Sequence, residues 1–380
     1  MAFAYRSWVE ISLPRIAANY QAIRQVVGPA VEVMPVVKAD AYRHGAVEVS
    51  RTLAREGAKW LAVSNVEEGA ILRDAGITTR ILVMADFLPI ERQYLIDYNL
   101  TPVIHSLADV REWDRLAGAL GVRAAYHLKV DSGMGRLGIR LDTRSEAEEI
   151  FRVVREAQNV DLEGLMTHFA SSADYLSSQT NDQIQAFETL QQAAACHGIE
   201  PKYRHLSSST PLAYGRKQAW GNMVRPGHAI YGYLSPVTKG LAPPRILEVK
   251  PALVWKTQIL SVKDIPAGAL VGYGGMFRVA QPTRIAILAA GYADGIPHRL
   301  SNRGKVIAGG KLAPILGAVS MDLTTIDISA TPQLGVGDPV TLLGMEGNVS
   351  LDAQQMARIA GTISYSILCG ISARVKRIYV

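Results

Sequence analysis

Lys38 closes the apolar run Val31 to Val37 and is followed by Ala39-Asp40-Ala41-Tyr42-Arg43-His44-Gly45. A lysine at the mouth of a buried strand presents an amine that forms an imine with an aldehyde cofactor; the ordinary alternative is a solvated strand cap. In Asp131-Ser132-Gly133-Met134-Gly135-Arg136-Leu137-Gly138, glycines let the backbone turn sharply and approach a ligand, and Arg136 supplies a fixed fork of donors. His168 ends another apolar stretch, and Ser207-Ser208-Ser209-Thr210 offers hydroxyls and helix-start amides suited to a phosphate. Arg225 follows Met223-Val224. Taken singly, each is an ordinary strand end or turn.

The elements that must position these groups alternate short apolar runs with helical patterns at spacings of roughly 20 to 40 residues. Eight candidate strands emerge: Val31–Val37, Trp60–Ser64, Arg80–Met84, Thr101–Ile104, Ala124–Asp131, Leu162–His168, Tyr203–Ser207 and Met223–Arg225. Pro14 suits the first turn of a helix to Val27, Asn65 with Glu68 reads as a helix start, and Gly57 and Gly76 read as stops. The pattern predicts an α/β region, a (β/α)8 TIM barrel over residues 11–245, with an open doubly wound sheet as the rival. Barrel chemistry sits at strand C-terminal ends, and Lys38, His168, the serine run and Arg225 all fall there. From residue 246 to 380 the texture becomes all-β, with short runs such as Arg284–Leu288, Lys305–Ala308, Val319–Ile328 and Pro339–Leu343. Only Asp352–Ala360 reads as helical in that region, and residues 1–10 read as a strand that joins it.

In chain order these windows resemble the alanine racemase family over about residues 8 to 378. Val36-Val37-Lys38-Ala39-Asp40-Ala41-Tyr42 is similar to its pyridoxal-phosphate attachment site, the Asp131–Gly138 window to its Asp-(Thr/Ser)-Gly-Met-Gly-Arg-Leu-Gly, and Thr167-His168-Phe169-Ala170 to its Thr-His-Phe-Ala. Val224-Arg225-Pro226-Gly227-His228-Ala229-Ile230-Tyr231-Gly232 is similar to its eighth-strand signature. The resemblance implies pyridoxal 5'-phosphate as cofactor and interconversion of L- and D-alanine for the bacterial cell wall. It implies Lys38 and Tyr273, in Val271-Gly272-Tyr273-Gly274-Gly275, as bases on opposite faces of the substrate carbon. Cofactor contacts are implied for Tyr42, His168 beside the ring, Ser209, Gly227 and His228 at the phosphate, Arg225 at the pyridine nitrogen, and Tyr365. Substrate contacts fall to Arg136 and Met321, and Lys129 is the position that can be carbamylated. A head-to-tail homodimer, with Tyr273 and Met321 of one chain serving Lys38 of the other, is implied too. Arg43, Ser208, His228, His298 and Ala318 depart from the usual wording, the last two on the access path, where arginines are common.

The remaining properties narrow the alternatives. The apolar fraction is 48% with no membrane-length apolar run, and the N-terminus lacks the order of an export signal, so a soluble cytoplasmic protein is expected. The net charge of +6 is dispersed, which speaks against nucleic-acid binding. Cys196 and Cys369 form no metal-ligand spacing, so neither a disulfide framework nor a metal is expected. Three rivals remain: a serine or broader-specificity racemase, a pyridoxal-phosphate decarboxylase, which usually sets an acidic residue where Arg225 stands, and a non-catalytic pyridoxal-phosphate carrier, which lacks a second base.

Overall fold

Eight short parallel strands, Glu32–Val33, Trp60–Val63, Arg80–Val83, Thr101–Ile104, Ala124–Asp131, Val160–Met166, Tyr203–His205 and Met223–Val224, organise the larger unit of the computed structural model, which describes residues 5–85, 87–140 and 144–380. That unit comprises Arg15–Ala41 and Ala46–Lys250. The second to seventh strands pair in chain order. Met34 N–H donates to the Val224 carbonyl and Val37 N–H to that of Ala62, joining the first strand to the eighth and second. Arg225 N–H donates to Ser207, joining the eighth strand to the seventh, so the ring closes. The sheet is therefore a barrel, and the open-sheet rival falls.

Strands buried on both faces read as continuous apolar runs, which is why Leu61-Ala62-Val63 and Leu82-Val83 are fully buried. Asn65 caps its helix by accepting from Glu68 N–H at 2.8 Å, and Gly57 and Gly76 end theirs at φ +87° and +80°. The helix Leu13–Val27 occupies the position after the eighth strand: Asn19 Nδ2 donates to the carbonyls of Ile230 and Lys250.

The other unit contains the chain up to Pro14, Tyr42–Gly45 and Pro251–Val380. Its nine-stranded sheet is built on Leu253–Ile265, where Leu253, Trp255, Thr257 and Ile259 alternate inward. Ser7–Ile11 pairs antiparallel with that strand and parallel with Lys376–Tyr379. Two sequence expectations need correction here. Of Val319–Ile328, only Thr324–Asp327 is a strand, because Ser320 Oγ and N–H both donate to the Leu323 carbonyl and fold the preceding residues into a turn. Asp352 does open a helix with a full capping box ended by Gly361, but Ser364–Gly370 forms a second helix.

Candidate functional site

Lys38 begins a short turn, Lys38–Arg43, in which Ala39, Asp40, Ala41, Tyr42 and Arg43 all have positive φ, from 53° to 66°. A left-handed turn costs L-residues about 1–2 kcal/mol each, so it persists only where surrounding groups over-determine it. Glu68 accepts from Ala39 N–H at 2.6 Å and from Ser64 N–H at 2.7 Å, and Asp40 Oδ1 accepts from Ala46 N–H at 2.8 Å. In the strand-rich unit, Arg43 Nε donates to the Cys369 carbonyl and Arg377 Nε to that of Arg43, both at 3.3 Å. Just before Lys38, Tyr231 Oη donates to the Val36 carbonyl at 2.9 Å. Within the barrel unit the backbone around the lysine is thus held by Glu68, Asp40 and Tyr231.

Arg225 is 3% exposed and lies among the barrel's strand ends. Its Nη1 donates to His205 Nδ1 at 2.9 Å and to the His205 carbonyl at 2.7 Å; Nη2 donates to the carbonyls of Thr167 and Leu206 and to His168 Nδ1 at 3.2 Å. No described residue accepts from its Nε–H, which remains for a ligand. Burial pulls the guanidinium down to about 9, still charged at neutral pH. Because Arg225 donates to His168 Nδ1, the proton of that neutral ring sits on Nε2. Burial first, then the charges of Arg225, Lys129, Arg136 and Lys38, push His168 down to about 3.

Those groups also act on Lys129, which is 5% exposed. Burial, helped by Arg136, Arg225 and Lys38 against Asp131, lowers its amine to about 8. Asp131 organises the glycine loop: its carboxylate accepts from the amides of Gly133, Met134 and Gly135. Burial alone would raise that carboxyl; the amides bring it below its ordinary value. Gln183 bridges this loop to the neighbouring one, donating to Ser132 Oγ and to the His168 carbonyl. Ser209, 4% exposed, accepts on Oγ from Gly227 N–H at 3.2 Å and Ala229 N–H at 3.1 Å. The His228 ring is buried and stacks on Tyr233, centroids 5.1 Å apart, so its side chain belongs to the core.

The barrel unit therefore brings Lys38, Lys129, Arg136, His168 and Arg225 into one electrostatic neighbourhood, with Ser209 and Gly227 bonded to each other beside Arg225 in sequence. In the strand-rich unit, the Tyr42 and Tyr365 rings lie 6.0 Å apart. Tyr273 stands on a glycine-flanked turn and is 77% exposed. A Cβ on Gly272, whose φ is +76°, would come within 2.9 Å of Ala318 N, so only glycine lets that turn approach the Gly317-Ala318 backbone. Met321 is also exposed, on a loop fastened by Ala293 N–H to its carbonyl and by Arg374, which donates to Asp294 and Asp322. Sequence reasoning missed His205, two residues before the serine run, and Glu68, noted only as part of a helix start.

The chemistry available is an amine, an aromatic-ring donor, a free guanidinium N–H, a cradle of hydroxyl and amides, and an exposed phenol elsewhere on the chain. Comparison with known proteins gives one answer. The family models for the alanine racemase N-terminal and C-terminal domains match residues 11–235 and 252–379. The alanine racemase of Halothermothrix orenii is 38% identical over 98% of this chain and 96% of its own. A solved alanine racemase from Clostridium difficile is similar with a TM-score of 0.91 and 32% identity, covering 100% of this chain and 96% of that one. Another, from Bartonella henselae with covalently bound pyridoxal phosphate, has a TM-score of 0.86 and 27% identity, covering 99% and 100%.

Proposed function

We propose, from the premise that this chain belongs to the alanine racemase family, that it interconverts L- and D-alanine with pyridoxal 5'-phosphate and supplies D-alanine for peptidoglycan. The observation that carries the reading is Arg225: its two terminal nitrogens are spent on protein acceptors and only Nε–H is left. A group that donates and never accepts suits an unprotonated pyridine nitrogen, which argues for racemisation over decarboxylation. The residues fit the cofactor: Lys38 to hold it, Ser209 with the Gly227 and His228 amides to bind its phosphate, and His168 beside its ring; the family resemblance adds Tyr42 and Tyr365 as cofactor contacts. Bound there, pyridoxal phosphate supplies an electron-withdrawing ring that acidifies the substrate's α C–H.

Lys38 Nζ takes or returns the α-proton on one face and Tyr273 Oη serves the other. Arg136 and Met321 hold the substrate, and Lys129, with an amine near 8, accepts carbon dioxide as a carbamate that orients Arg136. The chain works as a head-to-tail homodimer in which Tyr273 and Met321 of one protomer complete the site around Lys38 of its partner. The exposure of Tyr273, Met276 and Met321 within a single chain supports that assembly. We place the enzyme in the cytoplasm; no helix among the described residues is long and apolar enough to cross a membrane. Residue 11 to 245 and 246 to 380 are its two functional domains, with the N-terminal strand joined to the second.

A broader substrate range is favoured by His298 and Ala318, which stand where the family commonly has arginines on the access path; the His298 and Tyr292 ring centroids lie 6.3 Å apart. A chiral assay over alanine, serine, lysine and arginine tests both readings. Fastest turnover is expected on alanine, with a borohydride-reducible absorbance band that Lys38→Ala abolishes; an intact cofactor-bound protein that racemises none of them is a carrier instead.

A further inference from the structure

Behind Arg225 runs a line of buried polar groups with no place in the chemistry above. His205 Nε2 lies 2.8 Å from His127 Nδ1, and both rings are 0% exposed. His127 Nε2 is in turn 3.8 Å from Glu163, and Glu163 is held bidentately by Arg80 at 2.6 Å on each oxygen. Arg80 caps the line, its guanidinium 3.9 Å from the Trp60 ring. Arg225 follows the eighth strand while Arg80 opens the third, so the line crosses the barrel from the catalytic end to the opposite one.

The direction of every hydrogen bond in this line is forced. Arginine only donates, so His205 Nδ1 must accept and its proton must sit on Nε2. His127 Nδ1 then has to accept from it, which places the His127 proton on Nε2; that atom has no hydrogen-bond partner among the described residues and lies 3.8 Å from the Glu163 carboxylate, within electrostatic reach. Two charged arginines and one carboxylate thus bracket two neutral imidazoles. Burial holds both rings well toward the neutral form, and although burial would raise Glu163, His127 and Arg80 draw it down to about 2. Space for the ring pair is bought by one residue: a Cβ on Gly164 would lie 2.4 Å from His127 Nδ1.

We propose that His205, His127 and Glu163 are positioning residues for Arg225, a one-way relay that fixes the guanidinium's rotamer and balances its charge from a distance. The distance is the functional point. A carboxylate beside Arg225 would satisfy it directly, compete for its Nε–H and dampen its field at the cofactor; two intervening imidazoles transmit the orientation and keep the anion away. This rests on the racemase reading of the site, so the test separates the two.

Histidine 15N resonances in the holoenzyme, measured by magic-angle-spinning NMR and assigned with His127→Gln and His205→Gln, report the tautomers whatever reaction the protein performs. Both rings are expected neutral and protonated on Nε2 from pH 5.5 to 8.5. In parallel, Glu163→Gln keeps the shape and removes the charge; kcat for alanine is expected to fall about tenfold with KM unchanged, the loss of the anion that balances Arg225 from a distance. A proton on Nδ1 of either ring, a doubly protonated ring at neutral pH, or an unaltered kcat in Glu163→Gln overturns the relay. If Glu163→Gln does not fold, the tautomers of the unmodified enzyme still decide. A protein with the expected tautomers that racemises nothing refutes the racemase reading and leaves the relay standing as structure.

Discussion

Acidification is expected to destabilise the barrel through histidines that are neutral when folded. His105, His127, His168 and His205 are all lowered, chiefly by burial, His105 to about 4 and His168 to about 3. Unfolded, each returns to an ordinary value near 6.5. For a base depressed by folding, the unfolded chain binds more protons between the two values. The stabilisation is therefore complete above about pH 6.5 and is lost as the pH falls toward the folded values. At pH 5.5, one unit below the unfolded value, His105 and His168 each forfeit about 1.4 kcal/mol, so these two together forfeit about 3 kcal/mol, a large share of a typical stability, and His127 and His205 act in the same direction. Glu163 contributes nothing in this interval: held near 2, its stabilisation disappears only below about pH 4.5. Proton uptake on unfolding reads the linkage without assuming two-state behaviour. Unfolding the chain in guanidinium at pH 5.5 should draw about two protons from the medium on account of His105 and His168, with His127 and His205 adding to the uptake, and His105→Gln should remove about one of them. Uptake below one proton, or no change in His105→Gln, would refute the assignment of these rings as buried and neutral.

Other expectations are equally specific. Gly164→Ala drives a methyl into the His127 ring, which has Trp60, Tyr203 and His205 around it, and should cost about 3 kcal/mol in denaturant melts; a cost under 1 kcal/mol would mean the ring is free to move. Glu68→Ala removes the acceptors of Ala39 N–H in the left-handed turn and of Ser64 N–H beside it, and should destabilise the protein by about 2 kcal/mol and weaken cofactor retention, read by dialysis of the holoenzyme. Mixing Lys38→Ala with Tyr273→Phe chains should restore activity through hybrid sites. Verified heterodimers with no rescue would rule out site sharing.

Much of this was legible because a parallel barrel writes its strands as apolar runs and sets its working residues where those runs stop. Lys38, His168 and Arg225 could be placed that way before any distance was known. What could not be read depends on partners far off in the chain. The left-handed turn after Lys38 shows no local glycine signal; it is held by Glu68, 29 residues away from Ala39. His127 and His205 are separated by 78 residues, and each alone looks like a core histidine. The strand Leu253–Ile265 carries Lys256, Gln258, Lys263 and Asp264 among its apolar positions, which hides it from a search for β-branched runs. In the same unit, Val319–Met321 looked extended by composition, whereas the Ser320 hydroxyl closes a turn that puts Met321 on the surface.

The account depends most on two separate proton carriers, the Lys38 amine and the Tyr273 phenol, and isotope tracing reads that directly. L-Alanine turned over in deuterium oxide, sampled in the first few per cent of conversion, should give D-alanine carrying solvent deuterium at the α-carbon, because the group that removes the proton is not the one that returns it. D-Alanine retaining the substrate's protium would mean a single base serves both faces, and the assignment of Tyr273 would fail.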